Sequence, residues 1–552
     1  MPHPFFRLTL AALLVVTAAG CQSAMMSVGK LAARFLTQKT DDLSAANVQV
    51  AYTDRSVPAA SGNAGPIAYG RGYRDETPIV NVVMPKRRGM GMWALDGTVT
   101  ANGAAMETPV AGAYSAWLAP NAPVTVALTS KKGQTETFQV QPRAPIRIRS
   151  INGQARGSTV VNLNGPLVIE LDRPAADDTE IRIGLQGRLM TMSDFWGLAI
   201  VKGQNRIELP AAVFENGYGN PIDTGENWIV VEEYVRPRFR ELATGGLSLV
   251  SVKSADYWPV TVMGDVPRKV AGQIAHEGIS VSGEAGGMRY TASKPRAFMG
   301  PAMQPGKRLA VVTFAVRAIG LSQSQTTSST SYGLGTITTT TTTRTRQFAQ
   351  LPSAFWQNLT GTLHDDLMGG LRRAWNVDVV PVERVKAEPL YARLEPIVDT
   401  TTVSFASHSY RDLRVLFDGS LASAFTDNNG AFQAARVERL LDALSVDGLV
   451  VATVDLQMPW ESFSLNPRIR FDVLGRQSDP MQASTAYFAR VEVTGPGREV
   501  TNEMLEDPAQ LSRFLETAVN RTGVVAAFNA AMQALVAEEA RHPIYRTVWQ
   551  GR

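Results

Sequence analysis

Four histidines stand beyond the N-terminal region, His276, His364, His408 and His542, and acid–base or metal chemistry would have to start from them. None belongs to a His-Glu-x-x-His arrangement, and no serine sits in a Gly-x-Ser-x-Gly elbow. The densest cluster is His364-Asp365-Asp366. Consecutive helical residues project about 100° apart, so these three cannot converge. Leu363 and Leu367 mark the apolar stripe, so Asp365 and Asp366 are expected to face solvent. Asp177-Asp178 and Glu232-Glu233 could each supply half of a calcium site or an acid–base pair. Neighbouring carboxylates on a strand point to opposite faces, so turn and edge charges are the expectation. Lys86-Arg87-Arg88 is a short basic cluster that would suit lipid head groups and is expected to be solvated. Phe214 to Asn220 (FENGYGN) carries two glycines but no lysine, so it reads as a turn rather than a phosphate loop. No catalytic set follows, and neither a metal nor an organic cofactor is expected.

The remaining reactive group is the thiol of Cys21, the chain's single cysteine. With one cysteine, neither an intramolecular disulfide nor a cysteine metal site is possible. Arg7 gives a positive start, Leu8 to Ala19 is apolar and uncharged, and Ala18, Ala19 and Gly20 stand directly before the cysteine. That order is a secretory signal peptide, too short for a permanent span, which needs about 20 apolar residues. The small-residue run ending at Cys21 resembles the lipobox of bacterial lipoproteins. The resemblance implies cleavage between Gly20 and Cys21 and acylation of the cysteine. It also implies a membrane anchor stabilised by roughly 0.8 kcal/mol for each buried CH₂. Ala18 departs from the leucine usual in that family. Gln22 is not the aspartate that favours inner-membrane retention, so the resemblance implies an outer-membrane destination, with the body facing the periplasm.

Around these residues the chain must build cores without cross-links. Its 552 residues are long enough for three or four domains, and 44% hydrophobic and 19% charged residues are normal for globular ones. A net charge of +4 is small for this length, and no nucleic-acid partner is expected. Residues 21–46 read as anchor and tether, with Val28, Leu31, Ala32 and Phe35 on one face of a short helix if one forms. Residues 47–141 carry short alternating runs, such as Pro78 to Met84 and Val124 to Leu128, with hairpin signals at Asn102-Gly103 and Lys132-Gly133. This predicts a β-sandwich. After a QPRAP linker, residues 145–238 predict a second, immunoglobulin-like sandwich, with strands at Leu167 to Leu171, Ile181 to Leu185, Arg206 to Leu209 and Trp228 to Val231. Residues 239–306 read as a mixed connecting region.

From Lys307 onward the pattern predicts an α+β domain. Leu309 to Val316 is a strand covered on both faces. Ser353 opens a helix with Leu359, Leu363, Leu367 and Leu371 at spacing four, and Val377 to Val380 is a second strand. A helix over Ala434 to Leu444 precedes a three-strand meander, in which Ile469, Phe471, Val473 and then Ala489, Val491, Val493 alternate with charged residues. Asp507 caps a helix that begins at Pro508. Lys307 to Phe314 (KRLAVVTF), Val377 to Pro381, Val446 to Val451 and Arg470 to Gly475 (RFDVLG) resemble the periplasmic domains of the curli secretion channel, the penicillin-binding-protein activators and the N-terminal part of TolB. The resemblance implies recognition or ring assembly rather than catalysis. A Ser/Thr-rich insertion, 322–345, with six consecutive threonines from Thr338 to Thr343, interrupts this domain. It lacks the alternating apolar residues of a lipid-facing strand. It reads either as a polar hairpin turning near Tyr332 to Gly335 or as a disordered loop. The resulting expectation is a non-enzymatic envelope lipoprotein that binds another envelope protein, with homo-oligomers possible. The alternatives are a ring-forming secretion or transport component, and a glycan or cell-wall hydrolase with convergent carboxylates.

Overall fold

The computed structural model describes residues 37–55, 77–86, 92–110, 112–187, 195–216, 224–235, 238–264, 278–303, 307–319, 323–333, 336–346, 349–394, 396, 405–416, 430–457, 464–476 and 487–550. Gly20, Cys21 and the helical face expected between Val28 and Phe35 lie outside them. At the near end of the expected tether, Thr37–Thr40 is a strand and Leu43–Ala45 a turn of 3-10 helix.

The protein is mostly β-sheet, in several sheets. Strands β1 (Val48–Thr53), β2 (Ile79–Val83), β3 (Ala113–Trp117), β4 (Thr179–Gly187), β5 (Phe195–Val201), β6 (Gly225–Val235) and β7 (Leu247–Met263) are the backbone of one 11-stranded sheet. Their order across it is β5-β4-β6-β7-β1-β2-β3. One half of this sheet lies over the strands Gly97–Ala101, Val124–Ser130 and Thr135–Val140. Val50, Val82, Val126, Leu128 and Phe138 form the shared core there. The other half lies over Ile148–Ile151, Leu167–Leu171 and Arg206–Leu209, around Ile169, Ile183, Ile207, Ile229 and Trp258. Strands such as β1 and Leu167–Leu171 alternate buried and less buried residues, because one face meets the opposing sheet, whereas β6 is buried from Asn227 to Tyr234.

The joint between the halves is β7. Its residues 248–253 run parallel to β1, and its residues 253–262 run antiparallel to β6. One sheet therefore crosses the position of the expected linker, and the expected connecting region 239–306 supplies the strand that unites the two halves. The linker itself has no regular structure, yet it is tied down. Arg143 within it meets Asp178, and just beyond it the Ile146 amide donates to Ser254 Oγ at 2.9 Å and the Ile148 amide to Asp256 Oδ2 at 2.8 Å.

The second large sheet is built from β8 (Ile279–Ala285), β9 (Met288–Lys294), β10 (Arg308–Ile319), β13 (Phe405–Ser409), β14 (Gly448–Gln457), β15 (Ser464–Gly475) and β16 (Tyr487–Thr494). Between β10 and β13 the chain also forms β11 (Gln323–Gly333) and β12 (Thr336–Arg346), which pair with each other in a two-stranded sheet. The order β8-β9-β16-β15-β14-β10 is antiparallel except for the last step, where β14 and β10 run parallel. Helices α1 (Ser353–Trp375), α2 (Val382–Lys386), α3 (Gly430–Leu444), α4 (Pro508–Val519) and α5 (Arg521–Ala540) accompany it. Phe314, Phe471 and Val491 face α1 and α5 in one core with Leu363, Leu367, Phe528 and Met532. Asp507 caps α4 by accepting from the Ala509 and Gln510 amides at 2.7 and 3.1 Å. Among the described residues no helix is long and apolar enough to cross a membrane.

Candidate functional site

The part of the fold with the most distinctive local construction is the root of the β11–β12 hairpin. Strand β10 leads into it. Leu309 to Phe314 is buried and, apart from Thr313, apolar; the strand is flanked by β14 along its length and by β13 over Ala315 to Ile319. At that end Arg317, nearly inaccessible, makes two bonds of 2.6 Å to Asp455 of β14. A buried bidentate pair fixes register as well as contributing charge attraction. The chain then forms eleven paired positions, from Gln323↔Arg346 to Gly333↔Thr336, and re-enters the body at Ser353 as α1. Within the Ser/Thr-rich insertion, Gln323–Gly333 and Thr336–Arg346 therefore form a hairpin, with Gly333↔Thr336 as its last described pair.

Helix α1 carries the sequence cluster His364-Asp365-Asp366, and the structure disperses it. His364 turns inward, stacked 3.9 Å from the Tyr410 ring, with Phe314 edge-on at 5.2 Å. Burial holds its imidazole below the ordinary histidine value, and the charges of Arg372 and Arg411 act in the same direction. Asp365 opposes them through a 3.0 Å contact to Nδ1. Asp365 faces solvent as expected. Asp366 is half-buried and accepts from Arg521 Nη2 at 3.0 Å, because α5 packs along this side of α1. Tyr391 knits the chain after β13 to β10. Its hydroxyl donates to the Val312 carbonyl at 2.9 Å and accepts from the Arg414 amide at 2.6 Å, and burial pushes its pKa up to about 12.

The other carboxylate pairs also diverge. Glu232 and Glu233 are not edge charges. They sit on β6, near the middle of the 11-stranded sheet, and both are buried. Glu232 accepts from Arg182 Nε and Lys253 Nζ, each at 2.7 Å. Glu233 points the other way and accepts from Thr179 Oγ1 at 2.7 Å, the Ala176 amide at 3.1 Å and Arg173. The sequence reading missed this burial because a charged residue in an apolar strand is legible only with its partner, and Arg173, Arg182 and Lys253 come from other segments. Asp178 is a surface partner of Arg143 at 2.5 Å. Lys86 bonds Gln38 at 3.0 Å and lies 4.8 Å from the Trp93 ring centre, while Arg87 and Arg88 lie outside the described residues. Phe214 of the FENGYGN stretch is buried, and its two glycines lie outside the described residues as well.

No family model matches this chain, and no curated protein matches its sequence.

Two further charged arrangements were not singled out from sequence. At the crossing of β1 and β7, Asp54 accepts from Arg147, Ser254 Oγ and the Ala255 amide at 2.8 to 3.1 Å. Asp256 beside it accepts from Arg55 at 2.6 Å and Arg156 at 2.9 Å. Across the second sheet, the face opposite the helices α1 and α5 carries Asp472 between Arg490 (2.7 Å) and Arg470 (3.1 Å), and Glu492 bonded to Arg468 (3.0 Å). Its sequence signal was the alternation of charge with Ile469, Phe471 and Val491. Among the described residues no three His, Cys, Asp or Glu side chains converge as a metal ion would require.

Proposed function

We propose that this protein is a lipid-anchored component of the bacterial cell envelope, held at a membrane through Cys21, whose body binds or helps assemble another envelope protein. The observation that carries the binding role is the β11–β12 hairpin. Among the described residues its two outer edges meet no other strand. A two-stranded ribbon is marginal alone in water, and open strand edges are what an extended partner segment adds to. The sequence supports the anchor: a positive residue, an uncharged apolar run and small residues directly before the chain's one thiol. We read the two halves of the first sheet, with their covering sheets, as immunoglobulin-like spacers. We read the second body as the α+β domain that the sequence resembles. The parallel β10–β14 pair and the antiparallel run from β14 to β16 support that reading.

The test is a pull-down from detergent-solubilised membranes with the full chain and with a variant lacking 323–346. The reading expects a co-purifying envelope protein that the deletion loses, with membrane fractionation unchanged. It expects globomycin to block processing at Cys21 and Cys21→Ala to abolish acylation. The same partner set recovered with and without the hairpin would overturn the binding role. Unchanged processing under globomycin would overturn the anchor. A second reading, a ring-forming secretion or transport component, draws on the same open edges, which neighbouring copies could cap. It expects a large symmetric complex on gel filtration that the deletion disperses.

A further inference from the structure

Helix α1 and the segment running out of β13 meet through two rungs of stacked rings. Near the start of the helix, Trp356 stacks on His408 with ring centres 4.6 Å apart and planes 5° apart. Two helical turns later His364 stacks on Tyr410 at 3.9 Å and 15°. Each rung thus places one imidazole against one large aromatic ring, and the imidazoles come from opposite sides. Phe314 of β10 closes the inner side, edge-on to His364 and Tyr410 at 5.2 and 6.4 Å.

The position of these rungs gives them a mechanical role. Strand β13 pairs with Ala315 to Ile319, the last stretch of β10 before the hairpin, and α1 begins soon after the hairpin returns. The rings therefore join all three elements from which the hairpin springs. The turn that follows β13 is also strained. Arg411 and Asp412 both hold left-handed backbone, at φ 46° and 59°, which residues with a Cβ rarely adopt. Glu383 of α2 holds Arg411 at 2.6 Å and Lys386 holds its carbonyl at 2.8 Å. Strained backbone persists only where its surroundings enforce it.

A proton on His364 acts against this packing. Its Nε2 is buried and has no hydrogen-bond partner, so the charged ring would bury an unmatched N–H. Stacking on tyrosine would offset part of that cost. Here, however, the Arg411 guanidinium already lies 5.2 Å from the centre of the same Tyr410 ring, so a second cation there meets repulsion. The charged groups facing His364 are Asp365 and Arg372 from α1 and Arg411 from the turn. Asp365 favours the proton and the two arginines oppose it. From β10 it meets the uncharged Phe314, and Arg521 of α5 is engaged with Asp366. His408 has burial alone acting on it.

We propose that His364 and His408 form a proton-operated latch at the hairpin's root. Neutral, they clamp β13 and its turn against α1. Protonated, they release that contact, the turn relaxes, and the hairpin is freed to reorient toward what it binds. Both groups take up protons more readily when released, so the latch loosens as pH falls below 6.5, the ordinary histidine value.

The experiment is hydrogen exchange on the full chain between pH 7.5 and 5, corrected for the intrinsic rate, with the His364→Phe/His408→Phe variant alongside. Protection of 405–412 is expected to fall by about tenfold per pH unit for each histidine that titrates. The variant should show no such pH dependence. A variant with the same pH dependence, or a wild-type chain whose protection holds at pH 5, overturns the latch. Because the variant depends on folding, the unsubstituted chain is also titrated through its histidine Cε1 proton resonances. Two of them moving below the ordinary range together with the loss of protection supports the proposal. His364 and His408 both titrating at or above 6.5 refutes it.

Discussion

Glu232 shows how this chain uses charge where it has no disulfide to use. Burial on a central strand pushes a carboxyl pKa up, but here Arg182 and Lys253 outweigh that effect and hold it down to about 2. The folded value lies below the ordinary 4.5, so the unfolded chain binds the extra proton in the window between them. The contribution is therefore complete above about pH 4.5 and disappears as pH falls toward 2, an effect of about 3 kcal/mol. Glu232→Gln is expected to lower the urea midpoint at pH 7, because it leaves two cations without their counter-charge. The gap between variant and wild type should close as pH drops from 5 to 2.5. A gap that stays constant across that range would show that the ion pair is not what titrates.

At the scale of elements, the legible strands were those with a single pattern along their length, alternating in β15 and β16 and almost continuously apolar in β10. β15 and β16 announced themselves through alternation, and α1 through leucines at spacing four. β7 did not, although it unites the first sheet. Its first half lies beside β1 and its second beside β6, and an exposed Pro259 interrupts the second. No single period describes a strand that changes partners half-way. The ring contacts at the hairpin root were illegible for a related reason: Trp356 and His408 are remote in sequence, and neither has a neighbour that betrays the other. Close approach of elements leaves its trace instead in glycine. A Cβ on Gly197 of β5 would lie 2.3 Å from the Phe298 ring, which the segment between β9 and β10 inserts there. Gly197→Ala should cost about 1–3 kcal/mol by overpacking. Limited proteolysis should then cut near Phe298 faster than in wild type, and equal cutting rates would mean that the ring can move aside at no cost.

The whole molecule is held together where its C-terminus returns to the first sheet. Trp549 and Gln550 add in parallel to Ile200 and Val201 of β5. Trp549 Nε1 donates to the Ala297 carbonyl and Tyr545 Oη to the Pro295 carbonyl, both at 2.7 Å, so the tail grips the same segment that carries Phe298. Below this grip Lys294, fully buried, meets Glu539 of α5 at 3.1 Å, and Glu539 also accepts from the Met303 amide at 2.8 Å. Burial pushes the Lys294 pKa down to about 8 against the pull of Glu539, so the lysine remains charged at neutral pH. These contacts gather around residues 294–303 and 545–550 and link one core around Ile183 and Ile229 with one around Phe314 and Phe528. A chain ending at residue 543 loses the parallel pair and both tail hydrogen bonds while leaving each core's own strands in place. Calorimetry should then resolve two unfolding transitions where the full chain unfolds its sheets together. Trp549→Ala, which removes the indole's buried area and its bond to Ala297, should move the full chain part-way in the same direction. A truncated chain that keeps one transition at the full chain's Tm would place the coupling elsewhere, in contacts such as Arg393 with Glu241 at 3.0 Å.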